Sequence, residues 1–277
     1  MKALFVVTIA VFCLSCSAMA QDENEWRSWP LADHFTITLD GFFPNLDTQV
    51  RVDASDASPG TAIDFEQNLG MSDTETFPAI GFSWRFAKKH QLRLKVFELN
   101  RSGSAITPTD ISFGDETFTV NLPISSFFDM SVIGLSYSYS LVFDQKKELG
   151  VGVGLSVQDI SFGLIGDAGQ GIIETDLGIT VPLPTFDIKG RYAFTDKWIG
   201  KLGIGVFSLD LAISDEEDLR GEVFNGYVAI QHNTFEHVYF ELGYSFIDVK
   251  VAWKKNSLVS AIGYEYHGPV LSVTAAF

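Results

Sequence analysis

Apolar and polar positions alternate with a period of two along most of the chain. Ile80, Phe82, Trp84 and Phe86 oppose Gly81, Ser83 and Arg85, and Leu92, Leu94 and Val96 oppose Arg93 and Lys95. Val151, Val153, Leu155 and Val157 oppose Gly150, Gly152, Gly154 and Ser156. Phe240, Leu242, Tyr244 and Phe246 oppose Glu241, Gly243 and Ser245. Successive side chains of a strand point to opposite faces, so each segment predicts a strand with one apolar face. Ten spans emerge, near 34–43, 77–86, 90–101, 128–143, 147–162, 182–194, 197–212, 222–232, 236–252 and 257–277.

The polar face carries Gly, Ser and Ala rather than the long charged residues of a solvated sheet face. Small residues suit a face curving into a narrow lumen while the bulky face meets lipid. Short links at 87–90, 144–147, 195–197 and 233–236 alternate with longer ones rich in Gly, Asp, Ser and Thr. That alternation is expected of outer-membrane barrels, with tight periplasmic turns and long outer loops. The predicted fold is therefore all-β, a closed antiparallel up-and-down transmembrane barrel of ten strands over 34–277. The irregular stretch 45–76 leaves eight or twelve open. Several spans exceed the 9–11 residues a tilted strand needs to cross, so the hairpins should project outward. Trp84, Phe86, Phe143, Tyr192, Phe194, Trp198 and Tyr239 flank the short turns, where a periplasmic aromatic girdle would lie.

The first residues change the picture of where this barrel forms. Met1 and Lys2 precede an apolar run over 3–14 that ends at Ala18-Met19-Ala20, the pattern of a secretory signal peptide cleaved between Ala20 and Gln21. The expected organisation is a leader over 1–20, a periplasmic segment over 21–33, and the barrel. Both cysteines, Cys13 and Cys16, lie in the leader, so no disulfide is expected in the mature chain. Asp and Glu total 35 against 19 Lys and Arg, which makes nucleic acid a poor partner. Outer-membrane lipids, lipopolysaccharide and the barrel-assembly machinery are the expected partners.

The terminal Phe277, after alternating apolar residues, resembles the C-terminal signal that outer-membrane barrels present for assembly. Further stretches resemble porin-like or OmpW-like barrels of Gram-negative bacteria: Gly60-Thr61-Ala62-Ile63-Asp64-Phe65-Glu66 with Leu69-Gly70, Arg101-Ser102-Gly103, Ile111-Ser112-Phe113-Gly114-Asp115, and Gly263-Tyr264-Glu265-Tyr266-His267-Gly268-Pro269. The resemblance covers nearly the whole mature chain and implies an outer-membrane barrel, with no activity to carry over.

Candidate chemistry is sparse. No nucleotide, haem or zinc motif is present, and no cofactor or metal is expected. His34, His90, His232 and His237 fall at strand ends near the periplasmic boundary, and His267 sits in the outer part of the last hairpin. His267 beside the acidic outer loops is the one candidate for a rim hydrolase; no catalytic residue is assigned. The run Asp215-Glu216-Glu217-Asp218 is read as a solvated loop tip, lacking the spacing of a calcium loop. Strand parity suggests a lumen holding Asp40, Arg85, Arg93, Lys95, Glu98, Asp187, Lys189, Arg191, Lys201 and Glu241. Opposite charges in a narrow barrel predict a salt-bridged plug or a very narrow pore. The expected function is a non-enzymatic barrel, either a narrow passive pore or a structural, surface-interacting protein, with an outer-membrane hydrolase as the alternative. The loops over 45–76 and 101–128 are expected to set specificity.

Overall fold

A computed structural model describes residues 25–277 apart from 55, 57, 168–171, 215–216 and 256–257. The leader, its cleavage point at Ala20 and Gln21, and Asp215 and Glu216 of the acidic run lie outside the described residues. In chain order the elements are β1 (Phe35–Phe42), β2 (Asn45–Val52), β3 (Ile63–Asp64), α1 (Phe65–Asn68), β4 (Phe77–Ala87), β5 (His90–Ile106), β6 (Ile111–Phe113) and β7 (Glu116–Phe118). They continue with β8 (Pro123–Phe143), β9 (Lys147–Asp167), β10 (Ile172–Ala193), β11 (Trp198–Ser214), β12 (Glu217–Asn233), β13 (Val238–Lys255) and β14 (Leu258–Ala276). The order β1-β4-β5-β8-β9-β10-β11-β12-β13-β14 closes through β1–β14, an antiparallel ten-stranded barrel. Closure leaves no sheet edge inside the membrane, which is the condition for backbone to cross lipid.

The stretch 45–76 adds no crossing hairpin. At Phe43-Pro44 the first strand breaks: β1 pairs with the lower part of β14 up to Phe42↔Val270, and β2 resumes beside the upper part at Asn45↔His267. Gly268 allows this crossing, because a Cβ there would lie 2.3 Å from the Phe43 carbonyl oxygen. The chain after β2 then turns inward over the lumen.

Each long strand inverts its polarity part-way up. On β9 the outward residues from Leu149 to Val157 are apolar and exposed, while Gly150, Gly152, Gly154 and Ser156 face inward. Above that level Gln158, Ile160, Phe162 and Leu164 are buried inside, and Asp159 is exposed. On β13, Phe240, Leu242 and Tyr244 give way outside to Asp248 and Lys250, as Gly243 and Ser245 give way inside to Val249 and Val251. The outward apolar stretch matches the 9–11 residues that a tilted strand needs to cross a bilayer. The upper half is the expected outward projection of the hairpins, a water-facing barrel with an apolar core.

One junction differs. β10 pairs with β9 along its whole length but meets β11 only from Phe186↔Val206 down to Ala193↔Ile199. Above Phe186 the sequence is Val181-Pro182-Leu183-Pro184. Proline has no N–H and is confined to strand edges. Pro182 and Pro184 stay in an unbroken ladder opposite Val157 and Leu155. In an antiparallel ladder such residues must occupy the pairs that exchange no bonds with β9, so their missing donors face β11. The two strands therefore part at the top of the apolar belt.

Candidate functional site: the lumen

The lumen has three storeys. The lowest is sealed by the segment before β1. A 3-10 turn at Glu25–Ser28 and the following residues place Trp26, Leu31 and Ala32 in a buried cluster with Phe143, Ala193 and Ile199. The Trp26 and Trp29 rings pack on Phe143 at 6.1 and 5.4 Å. Phe143 was expected in the lipid-facing periplasmic girdle. A bulge between Ser140 and Val142 turns both Leu141 and Val142 outward and swings Phe143 into the mouth. Tyr239 also turns inward, where its hydroxyl donates to Asp33 at 3.0 Å. Trp84, Phe86, Tyr192, Phe194 and Trp198 do stand outward and exposed.

Directly above this seal lies a charge cluster centred on Glu148, which is wholly buried. Its Oε1 accepts from Arg85 Nη2 at 2.8 Å, itself wholly buried, and its Oε2 accepts from Arg191 Nε at 2.7 Å. Ser140 Oγ also donates to Glu148, and Arg191 Nη2 donates to the Leu31 carbonyl at 2.6 Å, tying the cluster to the seal. Arg85 lies over the Phe143 ring at 4.5 Å. Glu148 was missed from sequence because it borders a turn, yet it shares the parity of Gly150 and Gly152, which is the signal that would have found it.

In the middle storey Lys95 Nζ reaches Asp40 at 2.9 Å and Lys201 Nζ reaches Glu241 at 2.6 Å. The first pair straddles only small side chains on β4, Ala79 and Gly81, and the second straddles β12 at Ala229 and the buried Gln231. Asp187 is flanked in register by Gly152 and Gly205, and Lys189 by Gly150 and Gly203. A Cβ on Gly205 would lie 2.4 Å from Asp187 Oδ1. The glycine-rich lumen face thus makes room for charges entering from the adjacent strand. Arg93 also enters here, over Ser83 and Ser136. Glu98 does not. It lies an odd number of residues from Arg93 and Lys95, pairs with Ser131, and stands exposed on the outer wall. The alternation that makes a strand two-faced forbids it from sharing their side.

The upper storey is filled by a cap. Asp64 caps the short α1 by accepting from the Gln67 amide at 2.7 Å, and Phe65 stacks on Phe162 at 4.6 Å. Arg101, buried on β5, pairs with Glu66, donates to Thr48 Oγ1 at 2.9 Å and to the Ser72 carbonyl at 2.7 Å. Gly70 adopts φ of 67° and fits against Ser104, where a Cβ would lie 2.6 Å from the carbonyl oxygen. The β6–β7 hairpin locks on from the side. The Thr61 amide donates to the Ser112 carbonyl at 2.8 Å, the Gly114 amide to the Val52 carbonyl at 3.0 Å, and Phe113 packs edge-on to Phe162. All four sequence stretches that carried the resemblance meet in this cap and its wall. The segments 45–76 and 101–128 thus contribute to a packed lid as well as to the outer surface.

His267 faces outward, its Nδ1 2.8 Å from the Tyr244 hydroxyl, and His90 and His232 lie among girdle aromatics. Among the described residues no group of three or more His, Cys, Asp or Glu is arranged to hold a metal ion.

No family model matches the chain, and no curated protein sequence matches it. Solved structures do. The outer membrane protease OmpT from Escherichia coli superposes with a TM-score of 0.58 at 10% identity, over 88% of this chain and 97% of that one. The chain is an outer-membrane β-barrel. The Pseudomonas putida toluene transporter TodX (TM-score 0.34, 9% identity, 94% of this chain and 95% of that one) also aligns, as does Neisserial surface protein A (0.32, 11%, 88% and 97%). Both of these scores fall below 0.5, so the assignment rests on the OmpT superposition and on the apolar belt. For this outer-membrane barrel the likeness extends to fold alone.

Proposed function

We propose that this barrel is a non-enzymatic, occluded outer-membrane protein whose working surface is its water-facing upper half. The observation that carries this reading is the filling of the lumen at both ends, by the Arg101-anchored cap above and the Trp26–Leu31 seal below. Buried charges in a narrow barrel persist when paired, and the Arg85–Glu148–Arg191 cluster is paired and hydrogen-bonded in this way. Wide aqueous channels require roughly 16 strands, whereas this wall has ten. The outer wall above the belt is polar and available to lipopolysaccharide and other surface partners.

A second reading, a narrow pore, is favoured by one feature: the Lys95 side chain keeps 50% of its surface exposed within the lumen, which implies a hydrated middle storey. Single-channel recording in planar bilayers separates the two. The occluded reading expects the wild type to insert and stay silent. Discrete openings whose ion preference shifts in Lys95→Glu would replace it with the pore. A hydrolase, by analogy with the protease of similar fold, would need a rim site, and the outward setting of His267 gives it little support. Turnover of peptide or lipid ester substrates by the refolded protein, lost in His267→Ala, would establish it.

A further inference from the structure

The charges of the middle storey do not all find partners. Lys95 is paired with Asp40 and Lys201 with Glu241, while Arg85 and Arg191 share Glu148. Lys189 is different. Only 7% of it is exposed, its Nζ donates to the Gln91 side-chain carbonyl, and among the described residues no carboxylate lies within 4.0 Å of it. An ammonium has three donors and no acceptor, so two remain unassigned. Arg93, which enters two residues from Gln91 on β5, likewise makes no ion pair among the described residues. Lys189 and Arg93 lie close enough to repel each other; Asp187 acts on both of them, and Glu148, already paired with Arg85 and Arg191, also acts on Lys189.

Burying an ammonium without a direct ion pair is costly, and the acids in reach, Asp187 and Glu148, are shared with Arg93, Arg85 and Arg191. Two cations facing one space, one of them sealed from solvent, leave a local excess of positive charge that a small anion would neutralise. Gly150 and Gly152 leave the β9 wall beside Lys189 free of side chains, while on the β11 side the Tyr227 ring covers Gly203. We propose that the middle lumen is a binding site for a small inorganic anion, a halide or phosphate, held between Lys189 and Arg93 with Lys95 at its margin. The site is independent of whether the barrel conducts, since a trapped structural anion and a transient one would use the same two cations.

The test is refolding of the mature protein into detergent micelles at constant ionic strength, with sodium gluconate replaced stepwise by chloride or phosphate. The anion must be present during refolding because both ends of the lumen are sealed. The expected result is a saturable rise in the thermal unfolding midpoint of the wild type. Lys189→Met and Arg93→Gln should each raise the half-saturating anion concentration about tenfold or more, whereas Arg93→Lys should keep most of the response. Lys250→Met, on the outer wall, should leave it unchanged. Should Lys189→Met fail to fold, Arg93→Gln and chloride-35 line broadening on the wild type, reversed by phosphate, carry the test. A wild-type midpoint indifferent to gluconate replacement would overturn the proposal, as would a loss in Lys250→Met equal to that in Arg93→Gln.

Discussion

The lower and upper halves of this barrel are built from the same strands and obey opposite rules. On β9, Val153 faces out and Gly154 in; a few residues further, Ser161 faces out and Phe162 in. The alternation never breaks, yet the apolar side moves from the outside to the inside. Apolar atoms go where water is absent. In the lower half that place is the lipid, and in the upper half it is the lumen, which is why the upper half needs a cap to complete its core and the lower half needs charges or water to fill its interior.

The largest effect that would sharpen this comparison is in the upper core. Phe162→Ala removes the ring stacked on Phe65 and should destabilise the barrel by about 3–5 kcal/mol, read as a lowered urea midpoint in lipid vesicles and faster proteolysis of the cap. Next comes the belt: Val153→Arg should cost about 2–4 kcal/mol, because a cation at mid-bilayer is expensive, and should reduce folding yield. The same change on the same outer wall above the belt, Ser161→Arg, should stay within about 0.5 kcal/mol. Equal losses in the two would mean that the polarity switch does not mark the edge of the membrane. Gly154→Ser, beside Val153 but facing the lumen, should cost about 1 kcal/mol, since the added group meets the Thr185 hydroxyl, a side-chain atom, rather than backbone. The smallest effect concerns the seam. Replacing Pro182 and Pro184 with Val restores two donors toward β11, and amides over 207–210 should exchange hydrogen more slowly by about tenfold. Unchanged exchange there would mean that something other than the missing donors parts the strands.

Much of this architecture was legible from one chain. The ten crossings follow from alternation, and the observed strands β4, β5, β8, β9 and β11 begin within a few residues of the expected spans. For Phe143 a local irregularity caused the expectation to fail, whereas for Glu98 and Glu148 the alternation itself was sound. Phe143 sits beyond a bulge, and a bulge shifts parity by one residue without a sequence signature strong enough to locate it. Glu98 was misplaced although parity from Lys95 already put it outside, and Glu148 was overlooked although parity from Gly150 put it inside.

By itself the sequence determined the class of fold, the two faces of every strand and the presence of charge in a narrow lumen, because a period of two is a local property that each segment carries alone. Only the tertiary structure decided which face meets water at each height, which cation meets which carboxylate, and that the stretches around Glu66, Arg101, Ser112 and Tyr266 converge on one cap. Those facts depend on register between strands far apart in the chain, and register is set by closure of the whole barrel rather than by any one strand.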